Sequence, residues 1–206
     1  RAFVRMGDGT AAEAPAVMGE ATRTDLAPLR EPPAAPQVAA HNFRFSEDYD
    51  LYPSGAKTKY KNNVMAIKLL KQIELEKRTA TPEEQIILAR YVGWGGLANA
   101  FSSTASGWEN EYQELKSLLT DVEYKAAMNS TITAYYTEPD LIRHIYRALE
   151  RFGFEGGPDR KILDPGMGTG NFYSVLPEQF QESKLFGVEL DSITGRIAKQ
   201  LYPDAD

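Results

Sequence analysis

Cysteine is absent from the 206 residues, and histidine occurs only at His41 and His144. The first absence excludes disulfides and thiolate-bound zinc; the second leaves imidazoles too few and too far apart in sequence to suggest a metal centre. No apolar run approaches the roughly 18 residues a membrane helix needs, and the start lacks a signal-peptide core. The expectation is a soluble, cytoplasmic protein without a membrane partner. Positive charge is also in deficit. A net charge of -6 argues against a protein that coats nucleic acid over its whole surface, so any such contact must come from a local patch. What is present is 42% apolar residues, enough for one medium or two small domains with a real core. Because the chain opens on Arg1 rather than methionine, it is expected to be a piece of something longer.

Residues 1–40 are alanine-rich and contain Pro15, Pro28, Pro32, Pro33 and Pro36, with little bulky apolar material after Val4. That composition predicts a linker or tail. Packed structure is expected to start at Phe43 and Phe45. A helix is predicted over Thr58–Arg78, with Met65, Leu69 and Ile73, and neighbouring Ile67 and Leu70, on one apolar face. Its other face is basic: Lys57, Lys59, Lys61, Lys68, Lys71, Lys77 and Arg78 stand against Glu74 and Glu76. This has two readings, a solvated helix face or a phosphate-contacting patch, and Lys57, Lys59 and Lys61 are the candidates for the second. Thr81-Pro-Glu-Glu84 is a capping box that opens a helix to about Val92, and Thr120-Asp-Val-Glu123 opens a shorter one to about Asn129. Between them Trp108, Tyr112, Leu115 and Leu119 describe an amphipathic helix. Gly93-Trp94-Gly95-Gly96 leaves Trp94 either a core anchor or a ring placed against a base or a ligand.

The most informative stretch is Lys161 to Phe172, Lys-Ile-Leu-Asp-Pro-Gly-Met-Gly-Thr-Gly-Asn-Phe. A β-prone run leads into glycines 166, 168 and 170 and then into helical spacing, which predicts a strand-to-helix turn where backbone N–H groups can approach a ligand. A P-loop would end in Gly-Lys-Ser/Thr, but Gly170-Asn171-Phe172 stands there. A dinucleotide fingerprint would put its third glycine at Asn171, which weakens that reading. About one β-α-β unit later, Lys184 to Leu190 reads as a second strand ending in Glu189. An acid there can accept the two ribose hydroxyls of an adenosine, or with Asp191 it can simply cap the next helix. Upstream, Thr137 is predicted to cap a helix with Asp140 in its first turn and Leu141, Ile145, Leu149 and Phe152 along one face up to Gly153. The pair Tyr135 and Tyr136 stands just before that cap. An aromatic face attracts a sulfonium, and helix N-terminal amides suit a carboxylate; the bland alternative is that both rings are simply packed.

Asp164-Pro165-x-x-Gly168-x-Gly170-x-Phe172 resembles motif I of the S-adenosylmethionine-dependent DNA amino-methyltransferases. Tyr135-Tyr136-Thr137 is similar to their motif X, Phe-Tyr-Thr-Pro, with Glu138 where that family has its proline and Pro139 one place later. The order motif X, motif I, acidic strand is that of the class methylating the exocyclic N6 of adenine. Further stretches, Tyr60–Val64, Ala80–Gln85, Tyr91–Leu97 and Gly187–Ala198, resemble the large methylase-helicase proteins of bacterial conjugative elements and phages.

The resemblance implies an α/β fold: a helical region over 41–130, then, over 131–206, the first part of a Rossmann-like methyltransferase sheet. It implies S-adenosyl-L-methionine as cofactor, held by Tyr135, Tyr136, Thr137, Asp164, Pro165, Gly166, Gly168, Gly170, Asn171, Phe172 and Glu189, and DNA as partner along with the remaining methyltransferase and helicase parts. The family aligns its target amine with an Asn/Asp-Pro-Pro-aromatic loop, which this sequence does not contain, so no catalytic residue is assigned. These residues alone are expected to bind cofactor weakly or not at all and to transfer no methyl group. A non-catalytic DNA-binding scaffold and a nicotinamide-dependent oxidoreductase stay open as alternatives.

Overall fold

The computed structural model describes residues 41–52 and 54–206; the linker or tail expected over 1–40 lies outside them. The chain is mixed helix and sheet, with two parallel strands, β1 (Lys161–Asp164) and β2 (Lys184–Gly187). Lys161 stands opposite Lys184 and Asp164 opposite Gly187. Parallel strands need a crossover, here a glycine turn, the short helix α6 (Asn171–Ser174) and a 3-10 turn at Glu178–Phe180. Pairing runs past the strand ends, since the Val188 N–H donates to the Asp164 carbonyl (2.9 Å) and Met167 N–H to the Val188 carbonyl (3.1 Å). The other edge of β2 is also used. Asp206 donates its N–H to the Leu185 carbonyl (3.0 Å) and accepts from Gly187 N–H (2.8 Å), the bonding of a third parallel strand position.

Before the sheet come α1 (Ala56–Leu75), α2 (Pro82–Ala89), α3 (Glu109–Leu118), α4 (Asp121–Ser130) and α5 (Pro139–Arg151); α7 (Ser192–Leu201) follows β2. Both predicted capping boxes form: Thr81 and Glu84 bond reciprocally, as do Thr120 and Glu123. The helix begun at Pro82 ends at Ala89 rather than near Val92, because Tyr91 turns into the core and Val92 N–H is taken by Asn63 Oδ1 (2.9 Å). The buried face of α1 is Tyr60, Asn63, Val64, Ile67, Leu70 and Ile73; Met65, expected there, is 51% exposed.

Two expectations for α5 are corrected. Pro139 takes the first helical position and holds Glu138 extended, so the cap is Glu138 without a side-chain bond, not Thr137. The buried face is Ile142 and Tyr146, whereas Leu141 and Phe152 are exposed. Tyr146 decides the rotation of the helix: its ring meets Phe172 and Phe180 at 6.2 and 5.8 Å, and its hydroxyl donates to the Phe172 carbonyl (3.0 Å).

No packing break falls at residue 130. The buried Gln85 of α2 donates to the Gln200 carbonyl of α7 (3.0 Å) and to the His41 carbonyl (2.8 Å). Arg196 of α7 pairs with Glu123 of α4 (2.9 Å) and Glu74 of α1 (3.3 Å), and Lys71 of α1 shares the Glu123 carboxylate (3.1 Å). Residues of 41–130 and 131–206 therefore share one apolar core, which fixes the loops of the first against the strand ends of the second. Among the described residues, no helix is long and apolar enough to cross a membrane.

Candidate functional site

The carboxyl ends of β1 and β2 open into a cleft of about 520 Å³, closed on its far side by the segment 133–136. Tyr136, Gly168 and Glu189 define it. Gly168 has φ +56°, the left-handed region, and a Cβ there would stand 3.0 Å from Tyr136 Cε1, so only glycine lets the loop and the ring come together. On its other side the same ring faces Gly93, where an added Cβ would lie 3.3 Å from the phenol carbon. Burial pushes the Tyr136 phenol well above its ordinary range; Thr194 opposes this, while the carboxylates Glu189 and Asp191 add to it.

Glu189 is oriented by backbone. Its Oε2 accepts from Gly168 N–H (2.9 Å) and its Oε1 from Asp191 N–H (2.8 Å), which leaves further lone pairs on both oxygens. Asp191 is the cap of α7, with Oδ1 accepting from Thr194 N–H and hydroxyl (2.8 and 2.7 Å). The two roles read for the acids are thus divided: Asp191 caps, and Glu189 braces the loop at the cleft wall. The glycine-loop amides differ from the sequence expectation. Gly166 N–H goes to Asp164 Oδ1 (3.2 Å), Gly168 N–H to Glu189 and Gly170 N–H to the Met167 carbonyl (2.8 Å), so these donors shape the loop rather than await a ligand.

Of the eleven cofactor positions inferred by resemblance, the cleft lining brings together Tyr135, Tyr136, Gly166, Gly168 and Glu189. Asp164 braces the turn beneath, and Pro165 is exposed beside it. Gly170 packs against the Tyr202 ring, Phe172 against Tyr146, and Asn171 Nδ2 donates to the Thr137 carbonyl (3.0 Å), which tethers the tyrosine segment to the loop. These four support the cleft from behind. Tyr91, Asp191 and Thr194 line it without having been singled out for a ligand; Asp191 and Thr194 follow Glu189 so closely that the strand-end acid was the available signal.

The nucleic-acid candidates are corrected in two places. Trp94 is 1% exposed, edge-on to Phe101 (5.2 Å) and to Tyr60 and Tyr91 (6.3 Å each), so no ring face is left for a base. Its flanking glycines pack against the tyrosine segment instead: a Cβ on Gly95 would come well under 3.0 Å from the Ala134 carbonyl oxygen and 3.1 Å from Tyr135 Cδ1. Asn63 holds that loop, its Nδ2 donating to the Gly93 carbonyl (2.6 Å). Lys57 is committed internally, to Glu111 (2.6 Å), the Gly107 carbonyl and the face of Trp108 (4.0 Å). Lys61 is exposed and Lys59 half-buried, and among the described residues neither pairs with a carboxylate.

Comparison with protein families, with curated proteins and with solved structures finds no match for this chain.

Proposed function

We propose that this chain is the cofactor-binding part of an S-adenosylmethionine-dependent DNA methyltransferase, acting on the N6 amine of adenine, with a Rossmann-like sheet of which β1 and β2 are the first strands. The observation that carries the reading is the Glu189 carboxylate, braced by Gly168 and Asp191 N–H at the ends of two parallel strands and facing Tyr136 across one cleft. The cleft is of the size small-molecule sites have, about 300–1,000 Å³. Glu189 keeps acceptor capacity for two hydroxyls, and the exposed Tyr135 ring offers a face that attracts a sulfonium. These residues fit the cofactor.

When bound, S-adenosylmethionine supplies a methyl group already activated by its sulfonium. The protein's part is orientation: Glu189 fixes the ribose end, and the tyrosine segment, packed against Gly93 and Gly95, fixes the other. The Asn/Asp-Pro-Pro-aromatic loop that would align the amine is missing from the sequence, so the catalytic and target-reading parts belong to other segments of a larger methylase-helicase. These residues alone are expected to bind cofactor weakly or not at all and to transfer no methyl group.

Saturation-transfer NMR with S-adenosylhomocysteine at millimolar concentration tests this. Contacts to the adenosyl protons are expected, undisturbed by NAD and lost in Glu189→Gln. Displacement by NAD would point to an oxidoreductase; contacts that survive in Glu189→Gln would remove Glu189 from the site.

A further inference from the structure

One row of α5 is apolar and uncovered. Leu141, Ile145, Ala148 and Phe152 recur at the four- and three-residue steps that align side chains along a helix, and all four are exposed, Leu141 by 58% and Phe152 by 79%. The core takes the neighbouring row, Ile142 and Tyr146. Apolar side chains scattered singly over a surface need no explanation, but a continuous row marks a contact. Beside its C-terminal end lies a cleft of about 400 Å³ lined by Leu149, Phe154, Ile162 and Phe180, where Phe154 N–H donates to the Leu149 carbonyl (3.1 Å).

The charges of α5 select what covers the row. Glu138 and Asp140 stand at its start and Arg147 and Arg151 in its second half. Asp140 pairs with Arg143 of its own helix (2.7 Å), whereas Arg147 and Arg151 pair with no carboxylate among the described residues. Such a gradient complements the helix dipole, which accounts for the charges but not for the apolar row beside them. Turned end for end, the helix is complementary to itself: acids meet arginines, and apolar residues meet apolar residues. A parallel copy would set acid on acid and arginine on arginine. We propose that two copies of this chain associate through α5, antiparallel about a twofold axis, with Leu141 against the partner's Phe152, Ile145 against the partner's Ala148, and Asp140 beside the partner's Arg151. One register serves all three contacts, because the polar row of Asp140, His144, Arg147 and Arg151 runs one residue behind the apolar row. The helix has 13 residues and is about 20 Å long, so the contact is small and the association reversible. It is independent of what the Glu189 cleft binds.

Sedimentation velocity on the full 206-residue chain, from micromolar to millimolar concentration at low salt, tests this. The parent is expected to pass from monomer to dimer and no further, since a twofold contact closes on itself. Phe152→Asp should remain monomeric throughout. Asp140→Lys and Arg151→Glu, each alone, should weaken the dimer roughly tenfold, because like charges then face each other at both ends. Mixed in equal amounts, these two variants should associate as tightly as the parent, because their heterodimer again sets opposite charges together; only an antiparallel pair gives this rescue. Leu75→Asp is the control: it changes a leucine 82% exposed at the end of α1 and should alter nothing. Asp140, Arg151 and Phe152 are exposed, so urea midpoints at micromolar concentration should stay parental, and Leu141→Asp serves in place of any variant that unfolds. A parent that stays monomeric to millimolar concentration would leave the row to another segment or protein and overturn the proposal. A dimer that survives Phe152→Asp, or a mixture no tighter than its two components, would put the contact elsewhere and overturn it as well.

Discussion

Replacing Gly95 by alanine should damage stability and the proposed cofactor binding together, and the geometry sets the scale of the first. The new methyl would arrive well inside 3.0 Å of the Ala134 carbonyl oxygen, against the 3.5–4.0 Å at which non-bonded carbon atoms rest. The obstacle is backbone, so no side chain can swing away, and the loop itself is pinned by Gly96 N–H donating to the Thr131 carbonyl (3.0 Å). Overpacking of this kind costs about 1–3 kcal/mol. For a domain of this size that lowers Tm by about 2–4 °C per kcal/mol. Relief requires the segment 134–136 to move away from the loop, and Tyr136 moves with it, toward Gly168. Adenosyl contacts from S-adenosylhomocysteine should therefore fall at least severalfold in saturation-transfer spectra. Gly96→Ala is the paired control: nothing lies within 4 Å of its added Cβ, yet φ is +75°, so it should cost about 1–2 kcal/mol of left-handed strain and leave the ligand contacts intact. A Gly95→Ala protein with parental Tm and parental ligand contacts would refute the claim that this loop presses the tyrosine segment into place.

The ionic tie between helices gives a second expectation. Burial raises the Glu123 carboxyl, but Thr120 N–H, Lys71 and the Thr120 hydroxyl outweigh it and hold the group below its ordinary range. A depressed folded pKa contributes stability that is present above the unfolded value of about 4.3 and lost as pH falls through the folded one. Glu123→Gln should thus cost about 1.5–3 kcal/mol at pH 7 in urea titrations and much less at pH 3. Rotation of α5 predicts unequal effects of neighbours: Ile142→Ala should cost about 2–5 kcal/mol and Leu141→Ala within about 0.5, so equal costs would restore the face read from sequence. Tyr146→Phe should lose about 1 kcal/mol by removing the bond to the Phe172 carbonyl, measured by the same titration.

What could be read from the chain was local. Thr81 with Glu84, and Thr120 with Glu123, each close their bonds within three residues, so the capping boxes appeared where the sequence put them. The glycine turn between β1 and α6 was equally local. Choices that depend on distant partners were not readable. Leu141 with Ile145 and Ile142 with Tyr146 have the same spacing, and the partners that choose between them, Phe172 and Phe180, are 26 and 34 residues beyond Tyr146. Glu189 lies 21 residues beyond the Gly168 amide it accepts from, so the sequence could mark both groups but not the bond between them. Lys57 looked like its neighbour Lys59 until α3 brought Glu111 to one of them. The tryptophan among glycines carried two readings because it has two parts: the ring anchors the core, and the glycines meet the tyrosine segment.

The most direct trial of the proposed cofactor role of this cleft is isothermal titration of S-adenosylhomocysteine at millimolar concentration into the parent chain and into Glu189→Gln, each repeated with NAD present. One weak site in the parent, absent from the variant and indifferent to NAD, is the expected result. Equal heats in parent and variant, or a site that NAD fills first, would mean that the crevice between Gly168, Glu189 and Tyr136 holds something other than an adenosyl sulfonium.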